Sequence, residues 1–144
     1  MLTGTYFNTI DSKGRVVIPT KLRNSLGERI WVVKGPDGCL NVFTQQGWME
    51  YTGAYITNRT LKDEKARQLQ RFILGGAHEL EIDRQGRVNL PQDLINYAGI
   101  EKDVAFMGVG GYIELWSVAA YEREMGADNL DPKLVMAGAG EMEE

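Results

Sequence analysis

The sequence contains one cysteine, Cys39, and one histidine, His78, in 144 residues. A single cysteine excludes a disulfide framework within the chain. With no second histidine and no cysteine near it in sequence, His78 lacks the companions of a metal site, so no metal or other cofactor is expected. Long apolar runs are missing too: nothing approaches the roughly 20 residues of a membrane-spanning helix. Met1 to Phe7 hold no basic stretch followed by an apolar one, so no signal peptide is expected and the protein should stay in the cytoplasm, away from the membrane. Under that expectation the glycosylation-like triplet Asn58-Arg59-Thr60 is a chance match. Phosphate-cradling motifs are incomplete. Gly108-Val109-Gly110-Gly111 does not become G-x-G-x-x-G, because Ile113 takes the last place, and it reads as a turn. No nucleophile, base and orienter occur together, which argues against an enzyme and a small-molecule substrate. Cys39, ahead of an apolar strand, reads as a small buried residue.

What is present is the composition of a globular protein, 43% hydrophobic and 25% charged. The length suits one ordinary domain, or two very small units sharing a core. The net charge of −4 argues against a nucleic-acid partner at first sight, because phosphate binding draws on Lys and Arg. The charge is unevenly spread, however. Residues 1–35 carry six basic and two acidic side chains, whereas residues 76–144 carry five basic and fourteen acidic. One positive face on an acidic protein is compatible with that asymmetry, as is an uneven solvated surface.

An internal repeat organises the chain. Asp11-Ser12-Lys13-Gly14-Arg15-Val16-Val17-Ile18-Pro19 recurs as Asp83-Arg84-Gln85-Gly86-Arg87-Val88-Asn89-Leu90-Pro91, at an offset of 72. Ile10 answers Ile82 and Gly27 answers Gly99. After a one-residue slip, Gly38, Phe43-Thr44 and Trp48 answer Gly111, Trp116-Ser117 and Tyr121.

Both copies read alike in local physics. A β-branched and aromatic segment (5–10; 79–82) leads into Asp-x-x-Gly-Arg, a turn whose glycine takes φ > 0 without steric cost and whose Asp can accept from the turn's own backbone. Residues 16–18 and 88–90 supply a return strand. Pro19 and Pro91 then suit the start of a short helix that Gly27 and Gly99 would close. A strand pair follows in each copy (30–34 with 40–43; 104–109 with 112–116). Thr44 and Ser117 are placed to N-cap the next helices. Thr60 with Asp63 opens a longer helix to about Leu74, with Leu61, Leu69, Phe72 and Ile73 on one face. Phe43, Trp48, Tyr55, Phe72, Trp116 and Tyr121 fall where core packing would use them, and Glu79 and Glu81 alternate as the solvent face of a strand. A unit of roughly 45 residues is too small to fold alone, so the copies should share one pseudo-symmetric core. The expected organisation is a first repeat over 5–50, connecting helices over 51–75, a second repeat over 76–127 and a disordered acidic tail over 128–144.

The doubled Asp-x-x-Gly-Arg-Val-x-[Ile/Leu]-Pro-x-x-Leu, each copy followed by a strand pair and a Phe/Trp-[Thr/Ser] helix entry, resembles the MraZ family, whose relatives are the SpoVT and AbrB type transcription factors. The resemblance covers residues 1 to about 125. It implies a mainly β fold with short helices: a pseudo-symmetric swapped-hairpin β-barrel made from two tandem SpoVT-AbrB-like repeats in one chain. It further implies a ring-like, octamer-like homo-oligomer on the nucleoid. Such a protein would regulate transcription by binding short direct repeats in the promoter of the division and cell-wall gene cluster.

Residue by residue, Asp11 and Arg15 fall on the first motif and Asp83 and Arg87 on the second, with double-stranded DNA as the implied partner. Lys13, Lys21, Arg23 and Arg84 complete the set of candidate DNA-binding residues. Gln85 replaces Lys13 in the second copy, Asn89 replaces Val17 and Asp93 replaces Lys21, while Arg84 stands where Ser12 does. An Arg on a rigid hairpin can offer its planar fork to guanine or to phosphate. The competing reading makes the Asp–Arg pairs mere turn stabilisers, with the fold serving as an antitoxin-like module that binds a protein partner.

Overall fold

The computed structural model describes residues 1–57, 62–126 and 128–141. It contains strands β1 (Leu2–Thr9), β2 (Arg15–Val17), β3 (Arg29–Lys34), β4 (Leu40–Thr44), β5 (His78–Glu81), β6 (Arg87–Asn89), β7 (Asp103–Gly110) and β8 (Ile113–Ser117). Helices α1 (Thr20–Arg23), α2 (Gln45–Tyr55), α3 (Glu64–Ile73), α4 (Gln92–Ala98), α5 (Val118–Met125) and α6 (Pro132–Glu141) connect or follow them. The fold is mainly β with short helices.

Six strands make one antiparallel sheet in the order β1-β7-β8-β4-β3-β5, and β2 pairs with β6 in a separate ribbon. Under the repeat, β1 corresponds to β5, β3 to β7 and β4 to β8, so the order reads the same from either edge when the copies are exchanged. The pseudo-twofold axis runs through the β4–β8 seam, where Asn41 opposes Glu114, and through the ribbon, where Val16 opposes Val88. The copies are swapped. All of β1 pairs with β7 of the second copy, from Leu2↔Gly110 to Thr9↔Asp103, and β5 of the second copy pairs with β3 of the first.

Two expectations need correction. The Asp-x-x-Gly-Arg turn does not fold a return strand onto its own partner, because the backbone ladder between β1 and β2 is a lone Ile10↔Val16 bridge, beside which Asn8 Nδ2 donates to Val17 O at 2.6 Å. Instead β2 crosses to β6. The sheet also stays open between β1 and β5 rather than closing into a barrel. Pro19 and Pro91 have no N–H to extend a ladder, so β2 and β6 end after three residues and are too short to join the two edges.

Alternation along the strands builds the core. Val16, Ile18 and Leu22 are buried with their counterparts Val88, Leu90 and Leu94, and pack with Ile30, Val32, Val104 and Ile113 in one cluster spanning both copies. Each such side chain contributes about 1.5–3 kcal/mol of burial. A second cluster of Val33, Phe43, Trp48, Ile56 and Ile73 gathers under α2 and α3, where the Trp31 and Trp48 rings stack at 5.1 Å.

Thr44 and Ser117 do cap α2 and α5, accepting from Gly47 N at 2.9 Å and Ala120 N at 3.1 Å. Gly99 closes α4 in the left-handed conformation, whereas α1 already stops at Arg23, ahead of Gly27. The connecting helix begins later than expected, because Asp63 rather than Thr60 caps it, accepting from Lys65 N. Thr60 and Leu61 lie outside the described residues. Of the aromatic residues assigned to the core, Phe43, Trp48 and Trp116 are buried and Tyr121 half-buried, but Tyr55 and Phe72 are exposed. Phe72 lies off the buried Ala66–Ile73 face of α3, edge-on to Tyr97. The stretch expected as an unstructured tail includes α6, helical and largely exposed.

Candidate nucleic-acid interface

Each Asp-x-x-Gly-Arg loop is tied by the same set of bonds. In the first, Asp11 N donates to Arg15 O and Gly14 N to Asp11 O. Asp11 Oδ1 accepts from the backbone N–H of both Lys13 (3.0 Å) and Arg15 (2.9 Å), and Arg15 Nε donates to Oδ2 at 2.8 Å. In the second, Asp83 makes the corresponding bonds with Gln85 N, Arg87 N and Arg87 Nε, each 2.9 Å. The backbone N–H of the arginine leads the interactions that hold both carboxyls below their ordinary pKa. Gly14 and Gly86 sit at φ +83° and +80°, a conformation that side chains with a Cβ rarely adopt. Buried at the loop centres, they leave no substitution without strain.

This geometry uses the arginines from the side. Nε is engaged by the aspartate, and among the described residues no hydrogen bond occupies the Nη groups of Arg15 or Arg87. Each guanidinium is thereby held at its base with its terminal fork open, which reduces the entropy cost of docking it on an anion.

The ribbon brings both loops to one surface. Arg15 pairs with Asn89 and Val17 with Arg87. With Val16 and Val88 turned into the core, the period-two alternation puts Arg15, Val17, Arg87 and Asn89 on the outer face. Arg15 and Arg87 are diagonal neighbours there, about 7–8 Å apart by ribbon geometry. Sequence reading identified both arginines but not their shared face, which depends on a pairing between positions 72 apart.

Each loop is also fastened by the other copy. Ile18 N donates to Gly86 O at 2.9 Å, and Leu90 N donates to Gly14 O at 2.8 Å. The chain leaving Ile18 enters α1, which brings Arg23, half-buried, beside the second loop rather than the first, with Lys21 exposed on the same helix. Arg23 Nη2 donates to Arg84 O at 3.2 Å. Its counterpart is Ile95, which packs beside Gly14. Lys13 and Arg84 are exposed on their loops.

The remaining candidates have structural partners. His78 Nε2 lies 3.0 Å from Asp93 Oδ2, and that bond lowers the Asp93 carboxyl. No group of three or more His, Cys, Asp or Glu able to hold a metal occurs among the described residues. Glu79 and Glu81 are exposed on β5 beside Arg29, at 3.9 and 4.0 Å. No helix among the described residues is long and apolar enough to cross a membrane.

The swapped, pseudo-twofold architecture with paired loops defines a protein of two tandem, interlocked repeats in one chain. The model of the family described as "MraZ protein, putative antitoxin-like" matches twice, over residues 1–72 and 73–129. The chain belongs to the MraZ family. It is 41% identical over 131 residues to the transcriptional regulator MraZ of Lachnoclostridium phytofermentans, covering 91% of each chain. The namesake of Thermoanaerobacter pseudethanolicus is 46% identical over 85% of each chain. That of Caldicellulosiruptor saccharolyticus is 38% identical over 100% of this chain and 98% of its own. These relatives are named as regulators, not as enzymes. Among solved structures, a solution structure of PHS018 from Pyrococcus horikoshii is 16% identical, with a TM-score of 0.35 over 78% of this chain and 95% of that one.

Proposed function

We propose that the chain is a sequence-specific, DNA-binding transcriptional regulator that reads short direct repeats in the promoter of the division and cell-wall gene cluster. The observation that carries this reading is the pair of side-held arginines, Arg15 and Arg87, on the outer face of one ribbon with their forks open. An open fork matches guanine O6 and N7 or a phosphate. In this reading Asp11 and Asp83 orient the arginines, while Lys13, Lys21 and Arg84 add charge toward the DNA backbone. The repeat boundaries 5–50 and 76–127, residence on the nucleoid and a ring-like, octamer-like oligomer belong to the same proposal. A ring would raise affinity by presenting many weak loops at once.

The test is binding of the purified protein to a duplex carrying its own upstream promoter region, with Arg15→Ala and Arg87→Ala beside the wild type and salt varied. Each substitution should weaken binding roughly 5- to 150-fold without altering fold or oligomer size, and a single operator repeat should bind far less well than a tandem array. Unchanged binding in both variants would leave the Asp–Arg pairs as scaffold and make a protein partner the leading reading, in line with the antitoxin likeness in the family's description.

A further inference from the structure

The two loops share their internal bonds but not their covering. Over the first lies Ile95: a Cβ built on Gly14 would meet its Cδ1 at 3.4 Å, with Asn89 Oδ1 at 3.1 Å. Over the second lies the guanidinium of Arg23, whose Nη1 and Cζ would stand 2.5 and 3.0 Å from a Cβ on Gly86. A side chain at 86 would push the guanidinium aside, and the positive φ of Gly86 disfavours one there. Arg23 therefore lies against the loop backbone, with Nη2 on the Arg84 carbonyl. A guanidinium has five N–H donors and one is used in this bond. No acidic partner of Arg23 lies within ion-pair distance among the described residues. Arg23 stands half-buried in a cleft that also includes Glu28, Glu81, Asp83 and Arg84.

Resting on the DNA reading above, we infer that Arg23, supplied by the first copy, is part of the second loop's phosphate contact and makes the two loops unequal. The second loop then engages the DNA backbone with Arg23, Arg84 and Arg87, with Lys21 on the same helix as Arg23, whereas the first does so with Lys13 and Arg15. The swap thus returns to the second loop the charge that Gln85 removes from it.

The experiment measures affinity for the same promoter duplex over a range of salt concentrations for wild type, Arg23→Ile, Arg23→Gln, Arg23→Lys and Arg87→Ala. Arg23→Ile installs the residue that covers the first loop. Arg23→Gln keeps a donor for the Arg84 carbonyl but removes the charge, and it decides the question if the isoleucine variant does not fold. The inference expects both to flatten the slope of log affinity against log salt by about one unit, and Arg23→Lys to retain the wild-type slope. A wild-type slope in Arg23→Gln, with Arg87→Ala still weakened, overturns the role of Arg23 and leaves the DNA reading standing. Full binding by Arg87→Ala here, together with full binding by Arg15→Ala in the test above, removes both.

Discussion

Asn41 stands directly opposite Glu114 where β4 meets β8, so the pseudo-twofold axis relates an amide to a carboxyl. Asn41 is buried, and burial pushes the Glu114 carboxyl above its ordinary 4.5, with the Asp37 charge adding to the rise. Trp116 Nε1 donates to Glu114 Oε1 at 3.2 Å. A raised carboxyl holds its proton more tightly in the folded than in the unfolded state, so it lowers stability as pH climbs from 4.5 through the folded value. Glu114→Gln keeps an acceptor for Trp116 and removes the ionisation. Melting temperatures of the variant should therefore fall less between pH 4.5 and 7 than those of the wild type; parallel curves would show that Glu114 does not contribute.

Thr44 and Ser117 occupy equivalent places and make equivalent caps. Thr44→Ala and Ser117→Ala should each cost about 0.5–2 kcal/mol. The double variant should lose close to the sum, since the two caps share no bond. Urea unfolding of the three variants checks both statements, and a loss in only one copy would deny the caps' equivalence.

Leu22 and Leu94 are the helix residues that seal the shared core, 1% and 0% exposed. Either leucine changed to alanine should destabilise the protein by about 2–5 kcal/mol. Because one cluster spans both copies, unfolding should remain a single transition in each variant. Two resolved transitions in calorimetry would mean that the repeats unfold separately.

Cys39 is fully buried, and desolvation followed by the Glu114 and Asp37 charges pushes its thiol up to about 12. Little thiolate exists near neutrality. Alkylation by iodoacetamide at pH 8 should be slow in the native protein and fast in urea, as mass spectrometry would record. Rapid native labelling would contradict the burial.

The sequence displayed what is local. The Asp-x-x-Gly-Arg loops, the Thr44 and Ser117 caps and the inward Val16 and Val88 follow from residues within a turn or two of each other. Pairing across the chain is another matter. Nothing near Val17 announces that it lies opposite Arg87, and Arg23 reaches Arg84 across 61 positions. The family resemblance implied the swap, but not the open sheet, which follows from two prolines that end their strands early. Tyr55 and Phe72 lie outside the core because an aromatic at helical spacing predicts a buried face only when the face is correctly phased.

The pairing of β1 with β7 also sets an order of events. Leu2 meets Gly110, so a ribosome must deliver more than a hundred residues before the first strand has its neighbour. Until then β1 has no strand to pair with, and β3 waits in turn for β5. Contacts so distant in sequence make folding slow, and open edges recruit other chains. A nascent chain stalled between the copies would therefore expose the same strand that completes the fold when synthesis runs through, open to any β7 that another copy emerging from the same message supplies.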